Sequence, residues 1–318
     1  MKVIDFRAVK KICESISYET YYEWIEDALK NKDGFVVPVK SKISQANGDY
    51  YGIMPCMYEK DNLAMVKMIG RHTLKKGELR STMMGDLLLY EADTGVLKAV
   101  MDGEYITTLR TGAAAAQAAM MYGKKDFSVI GLIGLGNIMT VCMFVLLSIR
   151  KKEKLTVKLY QYHNQELRFM ERFSQYDNID FVLCDSYKDT IKGSEVIISA
   201  VTNVKEDFCP NNCYDEGCTV IPVMMRGFQN CDLFFDKIYT DEVDQIRGFK
   251  YFNQFKAIAN TTDVIRGERA GRESDAERIL VYYYGLAIHD LYFASHIYNM
   301  ADESFDFNYN YCREKYFF

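Results

Sequence analysis

The sequence predicts an α/β protein in which a strand-rich first domain is followed by a doubly wound nucleotide-binding domain with a parallel sheet. Three observations point there. From Phe127 onward, strand-like runs alternate with helix-like or loop segments, the pattern of parallel strands joined by crossovers. A glycine-rich turn follows the first of those runs. With 318 residues, 49% of them hydrophobic, the chain can fill two medium cores, since single cores usually stop growing near this size.

From Ser17, a candidate N-cap, the residues Tyr21, Trp24, Ile25, Ala28 and Leu29 recur at helical spacing, and Gly34 follows the charged stop from Lys30 to Asp33. This amphipathic helix opens the first domain. Apolar runs at 35–39, 50–54, 63–69, 86–90 and 96–101 predict strands, the last two joined by a hairpin turn at Asp93-Thr-Gly95. The alanine-rich stretch from Thr107 to Met121 predicts a helix and the domain boundary. Beyond it, strands are expected at 127–133, 155–160, 181–184, 196–201, 219–223 and 237–240, and a helix at 138–149. The aromatic, largely apolar stretch from Ile279 to Tyr298 predicts one long buried helix that returns the chain to where it began.

Composition excludes several classes. Charges balance closely, with 39 Lys and Arg against 44 Asp and Glu and no sustained run of one sign, so nucleic acid is not an expected partner. The N-terminus lacks the continuous apolar core of a secretory signal, and no run reaches the ~18 apolar residues of a membrane span. A soluble, cytoplasmic protein with no membrane partner is expected. Nine cysteines in a chain of this length read as free thiols, and Cys209, Cys213 and Cys218 lack a nearby His, so no metal is expected. The aromatic excess, Tyr282 to Tyr284 included, reads as packing.

The cofactor signal is Val129-Ile-Gly-Leu-Ile-Gly-Leu-Gly-Asn137. Gly134 permits the tight turn after a strand, Gly136 lets the backbone approach a pyrophosphate, and Asn137 and Ile138 open the helix whose N-terminus stabilises its charge. The third position of the fingerprint is Met139, which predicts looser helix-on-strand packing. The acid expected at the end of the second strand is absent; Gln161 stands in that register. The choice between NAD and NADP stays open. His163 and Asn164 suit either a 2'-phosphate or an ordinary polar loop.

Three cations stand in apolar or small-residue settings: Lys40, Lys67 and Arg110. Unpaired buried charge is costly, so each predicts an anionic partner, and a substrate carboxylate is one. A structural ion pair or a surface-facing strand position is the alternative for Lys67.

In chain order, Pro38-Val-Lys40, Lys67, Asp93-Thr-Gly95, Leu109-Arg-Thr-Gly-Ala113, Gly134-Leu-Gly136, Gly271-Arg-Glu-Ser274 and Gly285-Leu-Ala-Ile-His-Asp-Leu291 resemble the recurrent motifs of the ornithine cyclodeaminase and mu-crystallin family. The resemblance implies a Rossmann domain (125–285) inserted in an α+β substrate-binding and dimerisation domain (1–124 plus 286–318), and a homodimer. It implies NAD or NADP as cofactor, with Thr111 and Thr202 beside it. It also implies an amino-acid or imino-acid substrate, with hydride transfer at its α-carbon and its carboxylate held by Arg110 and Lys40. Lys40 replaces the family's usual Arg, keeping charge but losing the bidentate fork. Lys67 corresponds to the substrate-contacting lysine, and a proton-shuttle role for it would need a lowered pKa.

Where true cyclodeaminases carry an acid after the fifth Rossmann strand, this chain aligns Arg226, which cannot act as a base. The stretch Tyr239-Thr-Asp-Glu-Val-Asp244 resembles most the branch handling N-substituted amino acids with a second carboxylate, which Arg226 would bind. A salt bridge from Arg226 to Asp241 or Glu242 is the structural alternative. Two competing readings are a deaminating cyclase using another acid such as Asp241, and a catalytically inactive ligand-binding protein on the same fold.

Overall fold

The computed structural model describes residues 1–202, 204–311 and 315. The chain divides into two compact units: Met1–Ile16, Asp33–Thr107 and Ala287–Phe318 form the first, and Ser17–Lys32 with Thr108–Leu286 form the second.

The first unit begins with β1 (Lys2–Ile4) and α1 (Phe6–Cys13), whose first turn is capped by Asp5 accepting from the Ala8 amide. The next helix, α2 (Tyr18–Lys30), belongs to the second unit. Then come β2 (Phe35–Val36), β3 (Ser41–Ser44), β4 (Tyr50–Tyr58), β5 (Leu63–Arg71), β6 (Met83–Glu91) and β7 (Leu97–Asp102). They form a sheet ordered β1-β7-β6-β5-β4-β2, with β3 paired to β4, antiparallel except for β1 on β7. Side chains alternate between the two faces. One face buries Met54 and Cys56 of β4, Leu63, Met65, Lys67 and Ile69 of β5, and Leu87 and Leu89 of β6. The other exposes Val36, Ile43, Met68 and Met84.

Helix α3 (Gly103–Tyr122) continues from the first unit into the second. There follow β8 (Val129–Ile133), α4 (Asn137–Ile149), β9 (Leu155–Tyr160), α5 (Gln165–Arg172), β10 (Ile179–Cys184), α6 (Tyr187–Ile191), β11 (Val196–Ser199) and β12 (Thr219–Pro222). The unit continues with β13 (Lys237–Thr240), α7 (Val243–Ile246), β14 (Ile258–Asn260), α8 (Thr261–Ile265) and β15 (Ile279–Tyr282). Its sheet is parallel throughout and ordered β10-β9-β8-β11-β12-β15-β13-β14. Strand order reverses between β8 and β11, the place where doubly wound sheets bind nucleotides. Helix α9 (Ala287–Met300) returns the chain to the first unit, where it packs on β4 and β5.

The fold is α/β, with the Rossmann-type unit inserted in sequence within the α+β unit. Several local expectations change. The stretch 279–298 is not one helix: Ile279–Tyr282 pairs with β12 and β13, and Gly285, at φ +88°, breaks the chain before α9. An apolar run of this length does not distinguish a buried parallel strand from a helix, and the glycine decides. Helix α2 lies in the second unit because its apolar face packs on α4 and α8. The division falls at 107/108, inside α3, where 124/125 was expected. Strands β1, β3 and β14 were not anticipated; each has three or four residues, too few to show a period. Among the described residues no helix is long and apolar enough to cross a membrane, and eight cysteines are free and buried.

Candidate functional site

In the second unit, the turn after β8 is built around Gly134, whose φ is +87°. A Cβ there would lie 2.9 Å from Val201 and 3.0 Å from the Ala200 backbone, so both conformation and space demand glycine. Gly136 is the N-cap of α4 and makes no side-chain cap bond; a Cβ on it would meet nothing within 4 Å. The opening amides of a 13-residue helix, on Asn137 and Ile138, are thus uncapped beneath open space, an arrangement suited to a pyrophosphate. Met139, at the third position of the fingerprint, is fully buried. Close approach to α4 is made instead by Gly112 of α3, where a Cβ would stand 2.6 Å from Val141 and 2.7 Å from the Ile138 carbonyl. That contact sets α3 against the first turns of α4, and Thr111, next to Gly112 in sequence, is half-buried.

At the end of β9, the Gln161 amide donates to the Cys184 carbonyl at 3.0 Å. The nearest acid in sequence, the buried Glu166, turns back to accept from the Tyr162 amide at 3.1 Å. His163 and Asn164 both adopt left-handed backbone, at φ 52° and 58°, and are exposed. Thr202 lies exposed, three residues past the end of β11.

Arg110 is buried, and its guanidinium packs against Gly285: a Cβ at that glycine would lie 2.9 Å from Nη1. The turn is held by Asp241, whose Oδ1 accepts from the Tyr284 amide (2.9 Å) and whose Oδ2 accepts from the Gly285 amide (2.7 Å). Lys32 bonds the Asp241 carbonyl at 2.8 Å and pairs with Glu242 at 2.9 Å. Asp241 therefore staples this turn through both of its carboxylate oxygens. Arg226, in the exposed loop after β12, makes no ion pair among the described residues, so the expected bridge to Asp241 or Glu242 is not formed. Sequence reasoning missed Asp241 and Gly285 in this role. The glycine inside an apolar run was the available signal.

In the first unit, Lys67 is fully buried, and its Nζ lies 2.7 Å from Oδ1 of Asp290, itself fully buried, and 3.2 Å from Oγ1 of Thr107. The structural ion pair is thus present. Asp290 was the missed residue, although a carboxylate inside the apolar run GLAIHDL was its signal. Cys56, on the same sheet face, is pushed up to about 12 by burial and then by the Asp290 carboxylate. Lys40 is half-buried in the loop before β3. Among the described residues no group of His, Cys, Asp and Glu is arranged to hold a metal.

Residues 2–304 match the profile of the ornithine cyclodeaminase/mu-crystallin family. The chain is 25% identical over 309 residues to N-((2S)-2-amino-2-carboxyethyl)-L-glutamate dehydrogenase of Staphylococcus aureus, covering 90% of this chain and 91% of that one. Among solved structures, it is similar to Thermococcus litoralis Delta(1)-pyrroline-2-carboxylate reductase in complex with NADH and L-proline (TM-score 0.82, 21% identity, 94% and 97% coverage). It is equally similar to an archaeal alanine dehydrogenase dimer with bound NAD (TM-score 0.82, 22% identity, 94% and 95% coverage).

Proposed function

The chain belongs to the ornithine cyclodeaminase/mu-crystallin family, and we propose that it is an NAD(P)-dependent oxidoreductase acting on an amino acid, an N-substituted amino acid or an imino acid. The observation that carries this reading is the Gly134–Gly136 turn at the reversal of strand order, with uncapped amides at the start of α4. When bound, the nicotinamide supplies or accepts the hydride exchanged with the substrate α-carbon. In this reading Gly134, Gly136, Asn137 and Ile138 hold the pyrophosphate, Gln161 meets the adenosine ribose, and Thr111 and Thr202 line the cofactor.

On the second unit, Arg110 offers the planar fork that suits a carboxylate, and its packing against Gly285 fixes the fork's direction. On the first unit, Lys40 offers a point charge and Lys67 orients the substrate. Arg226, exposed and not ion-paired, suits a second carboxylate, in keeping with the relative that acts on a carboxyethyl-glutamate. The cyclodeaminase alternative loses support, because Arg226 stands where an acid is needed and Asp241 is engaged in holding the Tyr284–Gly285 turn. We also propose a homodimer formed through the open face of the first unit's sheet, as its exposed apolar row suggests, and a cytoplasmic location, which the free buried thiols favour.

The test is fluorescence titration with NADH and NADPH, then turnover of pyruvate, glyoxylate and Δ1-pyrroline-2-carboxylate with ammonia or amine donors. Binding with oxidation of either cofactor supports the reading. Failure to bind either sinks it in favour of an inactive ligand-binding protein, and release of ammonia and proline from ornithine would establish the cyclase.

A further inference from the structure

We propose that Asp290 is the positioning residue of Lys67, fixing its ammonium as a permanent cationic donor that orients substrate and does not shuttle protons. The proposal rests on the reading that Lys67 meets substrate.

Lys67 lies on the inner face of β5, in phase with Leu63, Met65 and Ile69, and in register with Met54 of β4 and Leu87 of β6. A flexible four-carbon stem in such a row needs an anchor if its head is to hold one place. Two anchors are present. Asp290 reaches Nζ at 2.7 Å from α9, a helix supplied 223 residues later in the chain. Thr107 supplies its Oγ1 at 3.2 Å from the first turns of α3, with its own hydroxyl hydrogen committed to the Gly103 carbonyl, so a lone pair faces the ammonium.

Neither Lys67 nor Asp290 has any solvent exposure, so water and salt do not screen the pair. A carboxylate at this distance favours the ammonium over the amine. The Cys56 thiol of β4, near the Asp290 carboxylate, is held neutral by burial and does not compete for the cation. The proton-shuttle role, which needs a lowered pKa, therefore gives way to a lysine held charged by an anion. The chemistry tolerates this. A protonated imine that takes up a hydride from the reduced nicotinamide becomes a neutral amine, so the step balances without a proton from Lys67.

The first test needs no substrate. In protein labelled with 15N-lysine, the Lys67 Nζ resonance, assigned by its loss in Lys67→Arg, should stay in the ammonium form from about pH 6 to 9.5, and should titrate within that window in Asp290→Asn. The second uses Δ1-pyrroline-2-carboxylate with NADH and NADPH. Asp290→Asn should lower kcat about a hundredfold, the cost of misplacing a group near the chemistry by about 1 Å, and should add an alkaline limb to the pH profile. Asp290→Glu should remove that limb.

Should Asp290→Asn fail to fold, Asp290→Glu and the paired change Lys67→Met with Asp290→Leu carry the test. The first must keep Lys67 charged, and the second must fold yet lose turnover. A wild-type Lys67 that titrates in the window, or a folded Asp290→Asn with unchanged kcat and profile, overturns the proposal. Unchanged kcat/KM in Lys67→Met would instead remove Lys67 from the site and defeat the reading beneath it.

Discussion

Asp232 is 1% exposed; Tyr282 donates to its Oδ1 at 2.7 Å, while Oδ2 has no hydrogen-bond partner among the described residues. Burial, reinforced by the charge of Asp207, pushes its carboxyl up to about 6 from an ordinary 3.8. A carboxyl raised on folding favours the protonated native state, so its contribution is full below about pH 4 and is lost as pH rises through 6. Asp232→Asn, which keeps an acceptor for Tyr282, should therefore gain on wild type by up to about 3 kcal/mol between pH 4 and 7.5. Urea unfolding at both pH values reads the difference, and equal gains at both would refute it. Gln161 makes a second prediction at this scale. With no acid at the end of β9, Gln161→Asp should supply a charged acceptor for the ribose hydroxyls and repel a 2'-phosphate. The ratio of NADH to NADPH affinity should rise roughly tenfold to a hundredfold, measured by titration.

Elements here are joined by side chains as much as by strand pairing. Arg272, in the Gly271-Arg-Glu-Ser274 motif, donates to the carbonyls of Tyr122, Ser274, Glu277 and Gly217 and to the Thr219 hydroxyl. It ties the end of α3 to the start of β12 and to the loop before β15, all within the second unit. The motif is thus structural. Arg272→Ala should cost about 3 kcal/mol by thermal or urea unfolding, with NADH and NADPH affinity unchanged in the folded protein. A selective loss of cofactor binding would place the residue in the site instead. Gly112 works in the same way: it lets α3 abut the first turns of α4, a duty its sequence position in an alanine-rich helix does not announce.

For the whole molecule, the proposed dimer places its interface on the open sheet face of the first unit. Met68 is 44% and Met84 49% exposed, near a cleft of about 430 Å³ that also draws on Tyr51, His72, Arg80 and Asp86. Apolar side chains clustered on a sheet face mark an interface. Sedimentation should show a dimer at micromolar concentration, and Met68→Lys with Met84→Lys should shift it to monomer while leaving the unfolding midpoint of the separated chain near that of wild type. A wild-type monomer would remove the proposed dimer.

The period of its apolar residues and its glycines determined much of this protein in advance. Ser17 caps its helix, the strands flanking Gly95 form a hairpin, and the Gly134 turn follows its strand, because each depends on neighbours close in sequence. Lys67 shares its buried face with Leu63, Met65 and Ile69, so the surface-facing reading of it falls. Only tertiary structure decided its partner. Asp290 and Asp241 acquire their roles from contacts 223 and 44 residues away, and no local pattern encodes which distant carboxylate reaches a buried cation or a turn's amides. The split of 279–298 was likewise settled by pairing with β12 and β13, since an apolar run satisfies strand and helix alike until a neighbouring strand takes its hydrogen bonds.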